Sequence, residues 1–235
     1  KTEKAKPLTK KPNSLDSSKF YQDICIDRMM GAIFGATIGS ILGTSTKYTV
    51  KPYTQFILQT PIDIIWSHIN DDKNSIQLLK GTVSTEIEQQ VLLMRSLTQD
   101  LKDDDENADI NENEHLIRLK KFASLIYQWS CDGIEEHKQG RCLKEDTALQ
   151  NTFRHPLFII DPLRAAFESC SEFVANGDAT VRTAPVIGCY KFWDEEEVMK
   201  NAKDFCCVTH YEGRCIACTV ILSLLIAKNI QNASL

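Results

Sequence analysis

The chain has 235 residues, 43% hydrophobic and 25% charged, with a formal net charge of −5. That length can bury a large core, as one large domain or two small ones. The acidic balance argues against a basic surface built for nucleic acid. Nine cysteines, an odd number placed mostly in apolar contexts, predict free thiols in a reducing compartment, the cytoplasm first. Cys215 and Cys218 form a CxxC, but no second pair stands at zinc-site spacing.

In chain order, residues 1–22 form a basic arm. Lys1 to Ser18 carries five lysines and two prolines with almost no apolar content, and is expected to be flexible or to lie over a partner. Residues 23–235 form a helical body. Its first helix, Ile26 to Leu42, is apolar at nearly every position and carries Gly31, Gly35 and Gly39 at four-residue spacing. Each glycine costs a helix about 1 kcal/mol relative to alanine, so close packing against another backbone is expected there. The stretch Ser84-Thr85-Glu86-Ile87-Glu88 then opens a helix running to Thr98. Hydroxyls and carboxylates at that place cap a helix or hold a metal ion. Thr85 as N-cap with Glu88 three residues on would form a capping box.

An acidic insertion follows at about 100–114, with eight acids against one lysine. Leu116 to Cys131 is amphipathic. Pro162 to Val174 and Asp194 to Cys207 are further helices, the latter capped by Asp194. Pro156, Pro162 and Pro185 mark entries and turns. Arg214 to Ile230 closes the chain. Its apolar run, Ile216 to Ala227, is shorter than the roughly 20 residues of a membrane span and is expected to be a buried helix. Few stretches alternate with period two, so the predicted fold class is all-α, with no membrane or nucleic-acid partner.

Three stretches stand apart from generic helix: DRMMGAIFGATIGSILG at 27–43, NGDATVRTAPVIG at 176–188 and THYEGRCIACTVILSLLIA at 209–227. With the segment at 84–87, their order resembles the ADP-ribosylglycohydrolase family over roughly residues 24 to 230. The resemblance implies a multi-helix single domain that binds ADP-ribose. In active members, two Mg²⁺ ions support hydrolysis of its bond to an acceptor. Mg²⁺ requires hard oxygen ligands in octahedral array. The family takes them from a Thr-Asp-Asp-Thr segment and a C-terminal Asp-x-Asp-Thr segment.

Position by position, this chain departs from that pattern. Ser40 stands where the family has an aspartate, and Lys47 where it often has an active-site glutamate. Thr-Asp-Asp-Thr becomes Ser84-Thr85-Glu86-Ile87, so Thr85 replaces a carboxylate and only Ser84 and Glu86 survive in kind as metal ligands. No Asp-x-Asp-Thr occurs before Leu235, which makes the match C-terminally incomplete. The ligand-facing positions are better kept: Asn176 and Gly177 in a loop, Arg182, and His210 after Thr209, with Arg214 and Cys215 also matching. Asp178, where the family has a small residue, would oppose a diphosphate.

Each retained position has a structural alternative: a turn and a buried charge-pairing arginine at 176–182, a helix cap at His210. The aromatic group Tyr190, Phe192 and Trp193 suits a core or an interface. The expectation is a catalytically inactive relative, with no cofactor. It would act as an interaction component of a larger protein assembly and keep residual affinity for ADP-ribose or a nucleotide. The alternative is an active Mg²⁺-dependent hydrolase.

Overall fold

The computed structural model describes residues 19–46, 83–98, 114–134, 147–170 and 176–232. Lys47 and most of the basic arm and acidic insertion lie outside them. The described residues are all-α, as predicted. Eight helices follow one another: α1 (Lys19–Thr46), α2 (Thr85–Thr98), α3 (Glu114–Asp132), α4 (Thr147–Phe153), α5 (Pro162–Ser169), α6 (Asp178–Cys189), α7 (Glu195–Cys207) and α8 (Gly213–Gln231). α1 begins at Lys19, four residues inside the stretch assigned to the arm.

The core is built where α6 meets α8, α2 and α7, with α3 closing over α2. Leu93, Phe122, Ala123, Ile126, Ile187, Val198 and Phe205 are buried completely within it. α6 is the central element, which explains why it reads poorly from sequence. Nine of its twelve residues are buried, so little amphipathic period remains. The sequence pattern suggests a loop at its start and a turn at Pro185. Instead Pro185 lies inside the helix. Burial on all sides holds the helix together against the hydrogen bond that proline removes.

Local capping follows the sequence closely at α7. The Asp194 carboxylate accepts from the Glu196 and Glu197 amides, at 3.1 and 3.2 Å, and three glutamates fill the first turn. α5 starts with Asp161 accepting from Arg164 N and Pro162 in the first turn. It ends at Ser169, short of the expected Val174, because Cys170 turns to extended backbone.

Among the described residues, nothing packs closely against the glycine row of α1. A Cβ added at Gly31, Gly35 or Gly39 would meet nothing within 4 Å. The close approach occurs instead at Gly188 on α6. A Cβ there would lie 2.7 Å from Ile226 Cβ and 2.9 Å from the Ser223 carbonyl oxygen. The glycine therefore lets α8 pack against α6 at backbone distance.

The buried helix expected at the chain's end also differs. α8 buries Cys215, Thr219, Ser223, Ala227 and Ile230, but leaves Ile221, Leu222 and Leu225 exposed. Small and hydroxyl side chains suit the tight α6 contact, while the large aliphatics point away from it. α1 likewise exposes Ile26, Met30, Phe34 and Ile38 along one i, i+4 row. By length and composition alone, Gln22–Ile41 and Gly213–Gln231 could each cross a membrane. The helix at the chain's end is thus longer than the apolar run that suggested otherwise. One or two such helices are weak evidence of a span, and the core helix of a soluble protein passes the same test.

Candidate functional site

Ser40, near the end of α1, and Ser84, just before α2, come together although 44 residues separate them. Their hydroxyl oxygens share a hydrogen bond of 2.5 Å. Ser84 is the residue that starts α2, since its carbonyl receives the Ile87 and Glu88 amides at 3.0 and 3.2 Å. Thr85 is therefore the first helical residue, not the N-cap. The expected capping box does not form. The Glu88 carboxylate points inward and accepts from the Trp129 indole N–H of α3 at 2.7 Å, and Glu88 is only 7% exposed. A carboxylate so buried needs such a donor, because leaving it unsatisfied costs more than the bond itself contributes. Glu86, one residue into the helix, is half-buried.

Arg182 is completely buried on α6. Its Nη1 donates to Gln89 Oε1 of α2 at 2.9 Å. Its Nη2 donates to Thr209 Oγ1 at 2.5 Å and more weakly to the Phe205 carbonyl at 3.4 Å. The guanidinium carbon also sits 5.4 Å from the centre of the Phe122 ring. These oxygens and the ring lie against the cation deep in the fold. Thr209 Oγ1 in turn lies 2.8 Å from His210 Nδ1, and His210 Nε2 lies 3.0 Å from Asn176 Oδ1. That oxygen also receives the Asp178 amide at 3.1 Å.

Asn176, Arg182 and His210 thus belong to one hydrogen-bonded chain, with Gln89 and Thr209 as its links. No motif in the sequence singles out Gln89. Its signal in the sequence was faint: Glu88, Gln89 and Gln90 are three consecutive polar residues, and all three are buried. Gly177 precedes α6 as its N-cap residue and is open to solvent, with space where a Cβ would stand. Asp178 is the first residue of α6, where its charge favours the helix N-terminus. His210 caps no helix. Glu212 does so for α8, accepting from the Arg214 and Cys215 amides. The Arg214 side chain beside Glu212 holds that carboxyl below its ordinary range.

Thiols line the same region. Burial pushes the Cys206 thiol up, against the Thr219 hydroxyl and the Arg182 charge, which act the other way. Cys215 is pushed up to about 11 by burial, and its Sγ donates to the Asn176 carbonyl at 3.1 Å. These groups are protonated at neutral pH and serve as small apolar residues and weak donors.

Residues 22–235 match the family model for ADP-ribosylglycohydrolase. The chain belongs to the ADP-ribosylglycohydrolase family. No curated protein and no solved structure matches it. The family's chemistry calls for Mg²⁺, so the oxygens at the corresponding positions bear on whether the ion fits. Ser40 and Ser84 offer two hydroxyls already bonded to each other, and Glu86 offers one carboxylate. Among the described residues, no three His, Cys, Asp or Glu side chains converge as a metal site would need. This donor set does not fit a pair of magnesium ions, which hold to carboxylates and bound water.

Proposed function

We propose that this ADP-ribosylglycohydrolase-family protein does not release ADP-ribose from an acceptor and serves as an interaction component of a protein assembly in the cytoplasm. It keeps a binding end for ADP-ribose or a related nucleotide at Asn176, Gly177 and His210. The observation carrying the first part is the Ser40–Ser84 hydrogen bond. Two neutral hydroxyls face each other at positions where the family pattern sets an aspartate and a threonine. Without that carboxylate, several kcal/mol of metal-based stabilisation of the transition state is lost. The exposed row Ile26, Met30, Phe34 and Ile38 on α1, and Ile221, Leu222 and Leu225 on α8, support the assembly role.

Calorimetry with ADP-ribose in the presence and absence of Mg²⁺ tests the binding half of the reading. The expected result is weak binding with the same affinity in both conditions. Affinity that rises with Mg²⁺ would restore a working metal site and favour the active hydrolase. No heat in either condition would leave the assembly role alone.

A further inference from the structure

For a neutral His210, the direction of each hydrogen bond between Arg182 and Asn176 follows from counting protons. The Asp178 backbone N–H only donates, so the Asn176 side-chain atom 3.1 Å from it is the carbonyl oxygen. The same oxygen lies 3.0 Å from His210 Nε2, which must therefore carry a hydrogen. A neutral imidazole has one ring proton, so Nδ1 accepts, and the Thr209 hydroxyl 2.8 Å away donates to it. With its proton committed to His210, Thr209 Oγ1 accepts from Arg182 Nη2. Arg182 is anchored in turn by Gln89 Oε1 on α2. Every link then has one donor and one acceptor, running from α2 to the start of α6.

We propose that Arg182, Thr209 and His210 are positioning residues, which act on a ligand only through the side-chain amide of Asn176. The relay holds His210 as the neutral Nε2–H tautomer and locks the Asn176 amide with its oxygen inward. The Asn176 NH₂ is then turned to the opposite side, and among the described residues it donates to none. This end of the site presents the two N–H donors of the Asn176 amide in a fixed orientation. It accepts a ligand oxygen with lone pairs, such as a carbonyl, hydroxyl or phosphate oxygen, and rejects a group that can only donate. Arg182 is fully buried, and Thr209 and His210 are each 2% exposed, so none of the three touches the ligand. The inference rests on the binding reading given under the proposed function, and it revises Arg182 and His210 from contact residues to positioning ones.

The test uses the full chain labelled with ¹⁵N-histidine, with the His210 signals assigned by comparison with His210→Asn. Long-range ¹H–¹⁵N spectra report the tautomer without any ligand. The relay predicts Nε2–H with a hydrogen-bonded Nδ1. Thr209→Val should move the Nδ1 signal toward that of a free imidazole nitrogen, and Thr209→Ser should return it. A merely structural threonine would not move that signal and regain it in this way. In calorimetry with ADP-ribose as the probe, Thr209→Val should bind about tenfold more weakly, the loss expected for one oriented hydrogen bond, and Thr209→Ser should bind as wild type.

Asn176→Asp covers the case where the valine variant fails to fold. It keeps the oxygen facing His210 and Asp178 but replaces the NH₂, so it should retain the wild-type melting temperature and lose ADP-ribose binding. An Nδ1–H tautomer in the wild-type protein overturns the relay whatever the protein binds. The predicted tautomer with no wild-type binding overturns the ligand role and the binding reading together, while the relay itself would have been measured directly.

Discussion

Replacing Gly188 by alanine tests the packing that organises the fold. The added methyl would sit 2.7 Å from Ile226 Cβ, 2.8 Å from its Cγ2 and 2.9 Å from the Ser223 carbonyl oxygen. None of the three can yield easily. Ile226 is β-branched and stiff in a helix, and the carbonyl belongs to the backbone of α8. Relief requires α8 to move off α6, across the most extensive helix pair in the structure. Overpacking by one carbon costs about 1–3 kcal/mol, and a backbone contact argues for the upper end. Alanine returns about 1 kcal/mol of helix propensity. The net loss is about 2 kcal/mol, or roughly 4–8 °C in Tm for a chain of this size.

Gly31→Ala is the matched control. It meets nothing within 4 Å, so it should gain up to about 1 kcal/mol of stability from the same propensity effect. Thermal and urea unfolding of both variants, followed by circular dichroism, decides the matter. A Gly188→Ala protein as stable as wild type would refute the α6–α8 contact. A Gly31→Ala protein that is less stable would show that the α1 face is packed in solution.

Three other outcomes follow from the buried groups and the free thiols. Trp129→Phe removes the N–H that serves the buried Glu88 carboxylate and should lower unfolding free energy by about 2–3 kcal/mol, with Glu88→Gln in the same background recovering part of the loss; no rescue would mean the bond is incidental. Burial pushes the thiols of Cys189 and Cys215 up to about 11 and that of Cys207 up to about 12, from an ordinary value of 9.0. These folded-state values lie above the unfolded one, so the stability they confer is fully present below about pH 8.5 and is lost as pH rises toward 11–12. The urea midpoint should be flat near neutrality and fall above pH 9. At pH 7.5, iodoacetamide should label the exposed Cys131, Cys170 and Cys218 first and spare Cys25, Cys189, Cys206, Cys207 and Cys215.

What the sequence made legible was local and periodic. Asp194 followed by three glutamates signals a helix start by short-range chemistry alone, and the structure has it there. α3 shows its apolar stripe openly, and Leu119, Phe122, Ala123, Ile126 and Trp129 are the residues it buries. The order of the four motifs was enough to identify the family. The failures lie where tertiary contacts decide. Nothing local distinguishes Gly31, whose missing Cβ would meet none of the described residues, from Gly188, whose missing Cβ admits another helix. Glu88 satisfies the capping-box spacing, yet Trp129, 41 residues away, claims its carboxylate. α6 loses its period because it is buried on nearly every side.

At the site, the motif pattern brought out Asn176, Arg182 and His210, and the structure joins them. It could not show that Arg182 faces inward to Gln89 and Thr209, because that depends on how α2, α6 and the end of α7 meet.

The most direct test of the central claim is an assay for ADP-ribose release. The full-length protein would be incubated with an ADP-ribosylated protein substrate and millimolar Mg²⁺, and free ADP-ribose quantified over hours. The Ser40–Ser84 arrangement predicts no release above the protein-free control, with or without Mg²⁺. Magnesium-dependent, enzyme-proportional release that chelation abolishes would contradict it and return this chain to the active members of its family.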